Sequence, residues 1–504
     1  MASFNSVGAY DASSRIPEFR GMMQYGDGIN ADPRYATDAK NMETTGGVLQ
    51  PVAACEVLPA ELPAPIETLA RLHRRWYTGS EDKDILVAAS GGKLYSMLPN
   101  ANSWTELTMP NGVSSYQSNV WSWVTYEINP QGSSASVDVL LLSNAVDGMI
   151  MVRGDTMQVS VVPTPKKFGV IERYAERIWG GAITDDPDML VYSTPFDPTD
   201  WKANVEQPAD GAGDINQPSW DGDSFTALRA FGSQLIAFKK SRVWRILGTD
   251  PGEYTFKEQY GGGAPYAATI AVDSERIFML TDQGIVVYDG LAVNPFQQEY
   301  AQKVFRDMNV AALDNACACL WRNKFYCAIP TGESITNNAV IIYDTVDGTW
   351  LLRDDVSVES FLPTEDGLYF TSATTPGKVW RWHEDSWVTG KAANVKHRWA
   401  SPWNDLGMKN VVKGSFELYV LCEAQNAPVQ LSFTIQTEKK LKTKTYTVKP
   451  LTAAEKASNK GFKQKRLHFG GTGRRFRLIV ESPSSEAVWR IVGGIQIVSE
   501  IDPD

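Results

Sequence analysis

The feature that most constrains this chain is a short unit that recurs along it. In its fullest form, AVIIYDTVDGTW at residues 339–350, an apolar run of Val340, Ile341 and Ile342 ends in Tyr343. The chain then passes through Asp344, Asp347 and Gly348 and becomes apolar again at Trp350. β-Branched residues suit a pleated surface, Asp side chains accept from loop backbone, and Gly takes positive φ without a Cβ clash. The unit reads as a β-hairpin with an aromatic residue on each arm.

Five further copies follow the same plan. KLYSMLPNANSW and LVYSTPFDPTDW set Tyr95 and Tyr192 ahead of Trp104 and Trp201. RVWRILGTDPGEY, IVVYDGLAVNPF and VWRWHEDSW carry Trp244, Tyr288 and Trp380, and a seventh, MIMVRGDTMQV around Ile150, keeps only the turn. Successive anchors lie between 37 and 55 residues apart. Before each lies another apolar run: DILVAAS, DVLLLS, RIWGGAI, QLIAFK, RIFMLT, KFYCAIP and GLYFTS. Hairpins repeated at that period are the signature of a β-propeller or a solenoid.

The expected fold is therefore all-β: a β-propeller of about seven blades over residues 66–391. Sixteen Trp, 19 Tyr, 19 Phe, 40 Gly and 27 Pro across 504 residues suit many short strands and tight turns. Residues 1–65 hold turns at Asp27-Gly28 and Gly46-Gly47 and a Pro-rich VLPAELPAPIE, and they read as an extended N-terminal arm. Residues 392–504 alternate over six runs, from SFELYVLCEA to WRIVGGIQIVSE, which predicts a C-terminal β-sandwich. Single helical turns are expected at 37–41, 274–276 and 301–308. The Gly/Asp/Pro-rich loop at 208–223 is long enough to suggest an interface or a site.

A net charge of −11 does not offer the basic surface of a sequence-independent nucleic-acid binder, although an acidic wall suits DNA that must slide past. The C-terminal part is the exception, with Lys439, Lys440, Lys442, Lys444, Lys449, Lys460, Lys463, Lys465, Arg466, Arg474, Arg475 and Arg477. Such tracts are solvated strand faces or the basic half of a contact between identical subunits. Cys55, Cys317, Cys319, Cys327 and Cys422 follow no disulfide spacing, the first residues resemble no secretory signal, and no apolar run reaches the length of a membrane helix. Synthesis in a cytosol is expected.

Catalytic chemistry finds little purchase. No Gly-rich loop leads into Lys-Ser or Lys-Thr, and His73, His383, His397 and His468 have neither metal-pair spacing nor a nucleophile elbow. Cys317 and Cys319 share one strand face and read as core. Carboxylates abound at Asp185, Asp186, Asp188, Asp221, Asp223, Asp344, Asp347, Asp354 and Asp355. In an array they would meet at a channel mouth as a calcium site or a glycoside acid/base pair, or else simply serve turns. Residues 345–350 are similar to the Asp-box turn of sialidase-like propellers, but without the spacers around Gly348. No catalytic, cofactor or metal residue is assigned and no cofactor is expected. The alternative function is a carbohydrate-binding or carbohydrate-degrading propeller acting on host glycans.

Residues 19–54, FRGMMQYGDGINADPRYATDAKNMETTGGVLQPVAA, carry Ala39, Asn41-Met42, Gly46-Gly47, Leu49 and Pro51 in an order that resembles the opening of tailed-phage virion proteins. Ser193, Asp197, Pro198 and Trp201 match a hairpin of the same proteins. The family this resembles is the tail hub or nozzle protein of short-tailed bacteriophages, also called the packaged-DNA stabilisation protein. The resemblance implies a non-enzymatic virion protein of the tail, forming a ring of six subunits below portal and adaptor. It would bind itself, the portal, the adaptor and other tail proteins, insert in no membrane, pass double-stranded DNA non-specifically and retain it until ejection.

Overall fold

The seven apolar runs upstream of the anchors all pair antiparallel with their anchor strands. Asp84–Ser90 pairs with Lys93–Met97, Val137–Asn144 with Gly148–Arg153, and Arg177–Gly181 with Met189–Tyr192. Gln234–Lys239 pairs with Val243–Leu247, Ile277–Thr281 with Gly284–Tyr288, Lys324–Ile329 with Ala339–Asp344, and Leu368–Thr371 with Lys378–Trp382. The structure is a computed structural model that describes residues 10–25, 28–75, 84–129, 136–216, 222–458 and 461–502. Asp27, Asp221 and Lys460 fall outside these residues.

Each hairpin forms the middle of a four-stranded sheet. That position explains why its runs are apolar throughout rather than alternating: Asp84–Ser90 and Gly284–Tyr288 are buried along their whole length. Both faces of a middle strand meet side chains of neighbouring sheets. Phe278 of one sheet, for instance, stacks on Phe325 of the next with ring centroids 4.7 Å apart. Six sheets use strands consecutive in sequence. The seventh takes its fourth strand, Glu56–Glu61, from the other end of the chain, pairing Trp380 with Val57 and Lys378 with Glu61. Pro59 is tolerated there because this is an edge strand. Leu362 and Tyr369 of that sheet share an apolar layer with Leu69 and Leu86 of the first, so the series closes on itself.

All six C-terminal runs form strands, but in two sheets that also recruit distant chain. Val412–Ala424, Lys465–Gly473 and Trp489–Asp502 join Tyr10–Ile16 in one sheet. Val429–Thr437, Leu441–Val448 and Phe476–Ser482 join His397–Ala400 and Asp38–Lys40 in the other. Phe416, Leu418, Phe433 and Leu478 fill one continuous apolar cluster that reaches Phe305 and Trp350 of the hairpin array.

Residues 10–61 are thus woven through the fold. Gly21 lies so close to the Trp350 backbone that a Cβ would sit 2.2 Å from its carbonyl oxygen, and Met22 N–H donates to that oxygen at 2.7 Å. The motif residues of this stretch are structural. Ala39, Met42 and Leu49 are buried, Gly46 and Gly47 take positive φ, and Asn41 has φ 58°.

Four expectations need correction. The stretch at 208–223 is not loop throughout, because Gly213–Asn216 finds a ladder on Met189–Tyr192 and forms a strand, after a single 3-10 turn at Pro208–Asp210. Residues 37–41 form no helical turn: Asp38–Lys40 is a strand, because ladder bonds to Arg398–Ala400 outweigh a single turn's propensity. Residues 274–276 form a turn instead, with Asp273 Oδ1 accepting from the amides of Glu275 and Arg276. The second aromatic of the repeat is a paired strand residue in the 339–350 unit, where Tyr343 opposes Trp350. Trp104 and Trp201 lie outside strands, and Trp387 lies in the short helix Ser386–Thr389. The helix expected at 301–308 is present as Gln302–Arg306.

Candidate interaction surfaces

The residues with catalytic potential are dispersed. His73 faces Asp84 at 2.7 Å, His383 faces Glu56 at 3.4 Å, His468 faces Glu417 at 3.2 Å, and His397 is buried against Ser482 at 3.1 Å. Asp186 pairs with Lys166, Asp188 with Lys239, Asp354 with Lys40, and Asp355 with buried Arg353. Asp344 accepts from the amides of Val346 and Asp347, which is turn chemistry. Among the described residues no group of three or more His, Cys, Asp or Glu is placed to hold a metal ion. Cys317 and Cys319 share a buried face, and burial pushes both thiols well up. Cys327 pairs opposite Ala318 and enters a different apolar cluster.

One polar cluster is buried where the N-terminal segment passes the sixth and seventh sheets. Tyr326 Oη donates to Glu384 at 3.2 Å, and Lys324 Nζ reaches the same oxygen at 3.2 Å. Arg353 binds Asp355 at 2.6 Å and the Ala53 carbonyl at 2.9 Å. Glu43 is fully enclosed beside these groups, and its Oε2 has no hydrogen-bond partner. Burial pushes its carboxyl up to about 7 against the pull of Lys324 and Arg353. Burial also lowers His397 to about 4. The cluster joins segments of the chain.

Two exposed edges are charged with opposite sign. The first is the edge strand Leu441–Val448 of the five-stranded sheet, with the turns around it. Between residues 438 and 466 the chain has ten Lys or Arg against Glu438 and Glu455. Lys442 and Lys444 stand opposite Ile435 and Phe433, so they project on the core-facing side of the strand, yet both are exposed at the rim of the sandwiching sheet. Their stems lie along the open seam: Lys444 Nζ is 6.0 Å from the Phe469 ring centre, and Lys465 Nζ is 4.9 Å from that of Tyr446. Lysines on an edge strand oppose edge-to-edge aggregation. Lys439, Lys440, Lys442, Lys449, Lys456 and Lys463 are exposed and make no ion pair among the described residues.

The second edge is the outermost strand of the third sheet, Gly213–Asn216, with the loop before it. Residue by residue these carboxylates are turn chemistry: Asp197 accepts from Thr199, and Asp200 from the Lys202 amide. Counted together, residues 185–223 hold ten Asp or Glu against Lys202 alone. That window count is the signal by which the sequence shows the surface. Asp197, Glu206, Asp210 and Asp214 are exposed, and no ion pair engages them among the described residues. The loop is held from beneath by Arg177, a buried guanidinium that meets no carboxylate among the described residues. It donates to the carbonyls of Ser193 at 2.7 Å, Gly211 at 2.6 Å, and Ala209. Trp201 anchors the loop against Phe168 with centroids 5.2 Å apart.

No family model matches the sequence, and no curated protein matches it. Among solved structures, the Pan2 WD40 domain of Neurospora crassa is similar over 67% of this chain and 96% of its own, at TM-score 0.34 and 11% identity. BBS1N, solved in complex with ARL6DN and soaked with lead, is similar over 63% of this chain and 79% of its own, at TM-score 0.31 and 7% identity.

Proposed function

We propose that this chain is a building part of a short-tailed bacteriophage tail, a hub or nozzle subunit, and no enzyme. The seven sheets are its blades, closed by Glu56–Glu61, over a propeller spanning 66–391. The two C-terminal sheets form a sandwich over 392–504, and residues 1–65 are the arm that binds the two together. Six such subunits would ring the DNA path below portal and adaptor in the virion and retain packaged DNA until ejection.

The observation that carries this reading is the course of the N-terminal segment. The stretch that resembles the opening of tail proteins, residues 19–54, pairs into a C-terminal sheet at Asp38–Lys40, and its neighbours Tyr10–Ile16 and Glu56–Glu61 pair into a C-terminal sheet and a sheet of the hairpin array. Pairing of this kind ties the two halves together by backbone ladders, which supports a part that must keep its shape in an assembly. An acidic exterior over most of the chain would let DNA pass without adhering.

Negative-stain images of the purified chain, alone and with portal and adaptor, test the proposal. Closed rings that stack on the portal are expected. A protein that stays monomeric at micromolar concentration and ignores both partners would end it.

A further inference from the structure

We infer that the two oppositely charged edges are complementary halves of one contact. The basic edge around Leu441–Val448 of one copy docks on the acidic edge around Gly213–Asn216 of a second copy. The inference rests on the self-assembling reading above and names the surfaces that reading leaves open.

Three observations carry it. The first is number: ten cations against two Glu in one stretch of 29 residues, and ten carboxylates against one Lys in another of 39. The second is that part of this charge stays unspent within the chain: six of the lysines on one edge and four of the carboxylates on the other make no ion pair among the described residues. The third is form. Both are outermost strands of antiparallel sheets, with side chains repeating about every 7 Å on each face. The acidic loop is also rigid, because Arg177 holds three of its carbonyls. A preformed surface loses less entropy on docking.

The two patches differ, so the contact is heterologous: each copy donates one edge and receives the other. Repetition of such a contact closes a ring or grows a filament. Edge-strand lysines that only prevented aggregation would need no matching acidic edge elsewhere on the chain.

The test is charge reversal on the full-length protein, read by sedimentation velocity at about 50 mM and about 500 mM NaCl. K442E/K444E/K463E and, separately, E206K/D210K/D214K should each weaken self-association at least tenfold. A mixture of the two variants should reassociate by alternation, through one native and one charge-swapped contact per pair, and the chain carrying both sets should assemble again. Circular dichroism and thermal melting check that each variant folds. If either reversal leaves assembly unchanged, the surfaces are wrong while the self-assembling reading stands. If the unaltered protein is monomeric at both salt concentrations, that reading falls with it. If the lysine variant assembles normally but loses affinity for a duplex DNA probe, the basic edge serves a polyanion and the inference is overturned.

Discussion

Asn41 and Asp354 bind each other twice. The Asn41 amide Nδ2 donates to Asp354 Oδ1 at 2.6 Å, and the Asp354 backbone N–H donates to Asn41 Oδ1 at 2.9 Å. Asn41 holds φ 58°, where Asn is among the least strained side chains, so one residue turns the segment and fastens it to the sixth sheet.

Asn41→Ala should therefore remove both bonds and add backbone strain, at about 3 kcal/mol. The loss is local. Hydrogen exchange should quicken across residues 38–52 while the middle strands of the other sheets keep their protection. Uniform protection in the variant would show that the pair is not what holds the segment.

Arg177→Met leaves the carbonyls of Ser193, Ala209 and Gly211 without their shared donor. Charged hydrogen bonds of this kind contribute about 1.5–3 kcal/mol each. The expected result is rapid tryptic cleavage after exposed Lys202, with little change elsewhere. Arg177→Lys should be intermediate, since an ammonium lacks the planar fork.

Two buried groups give opposing pH dependences. The Glu43 carboxyl titrates near 7 in the fold against an ordinary value near 4.5, so the folded state holds the proton longer. Its stability contribution is complete below about 4.5 and is lost as pH rises through 7, by roughly 3 kcal/mol. His397, lowered to about 4 from 6.5, acts the other way, and its contribution is lost as pH falls from 6.5 toward 4. Relative to the unaltered protein, Glu43→Gln should make stability fall more steeply on acidification and His397→Phe less steeply, read as denaturant midpoints from pH 4 to 8. Parallel profiles for all three proteins would refute both assignments.

All five cysteines are free thiols, four of them buried, and burial raises Cys55 to about 11 and Cys422 to about 12. Thiolate is the reactive form, so native protein at neutral pH should react with iodoacetamide far below one equivalent per hour. Unfolding in denaturant should release all five. Fast native labelling of any one would mark an opening that the packing does not allow.

The hairpins were legible in the sequence because their information is local. Val340, Ile341 and Ile342 run apolar, Asp344 and Gly348 turn, and Trp350 returns, all within a dozen residues. The six C-terminal strands were legible for the same reason, since alternation needs only neighbours. Tertiary structure decided the rest. Nothing near Val57 announces that its partner is Trp380, because an edge strand with Pro59 reads like any Pro-rich linker until the open edge it completes is in place. Residues 37–41 resembled a helical turn until Arg398–Ala400 offered a ladder. Nothing near Arg177 in sequence names the carbonyls of Ala209 and Gly211 that it serves, because only the returning loop brings them there. Charge followed the same division: the sequence counts carboxylates and lysines, but folding determines which ones find partners within the chain and which remain exposed on an edge.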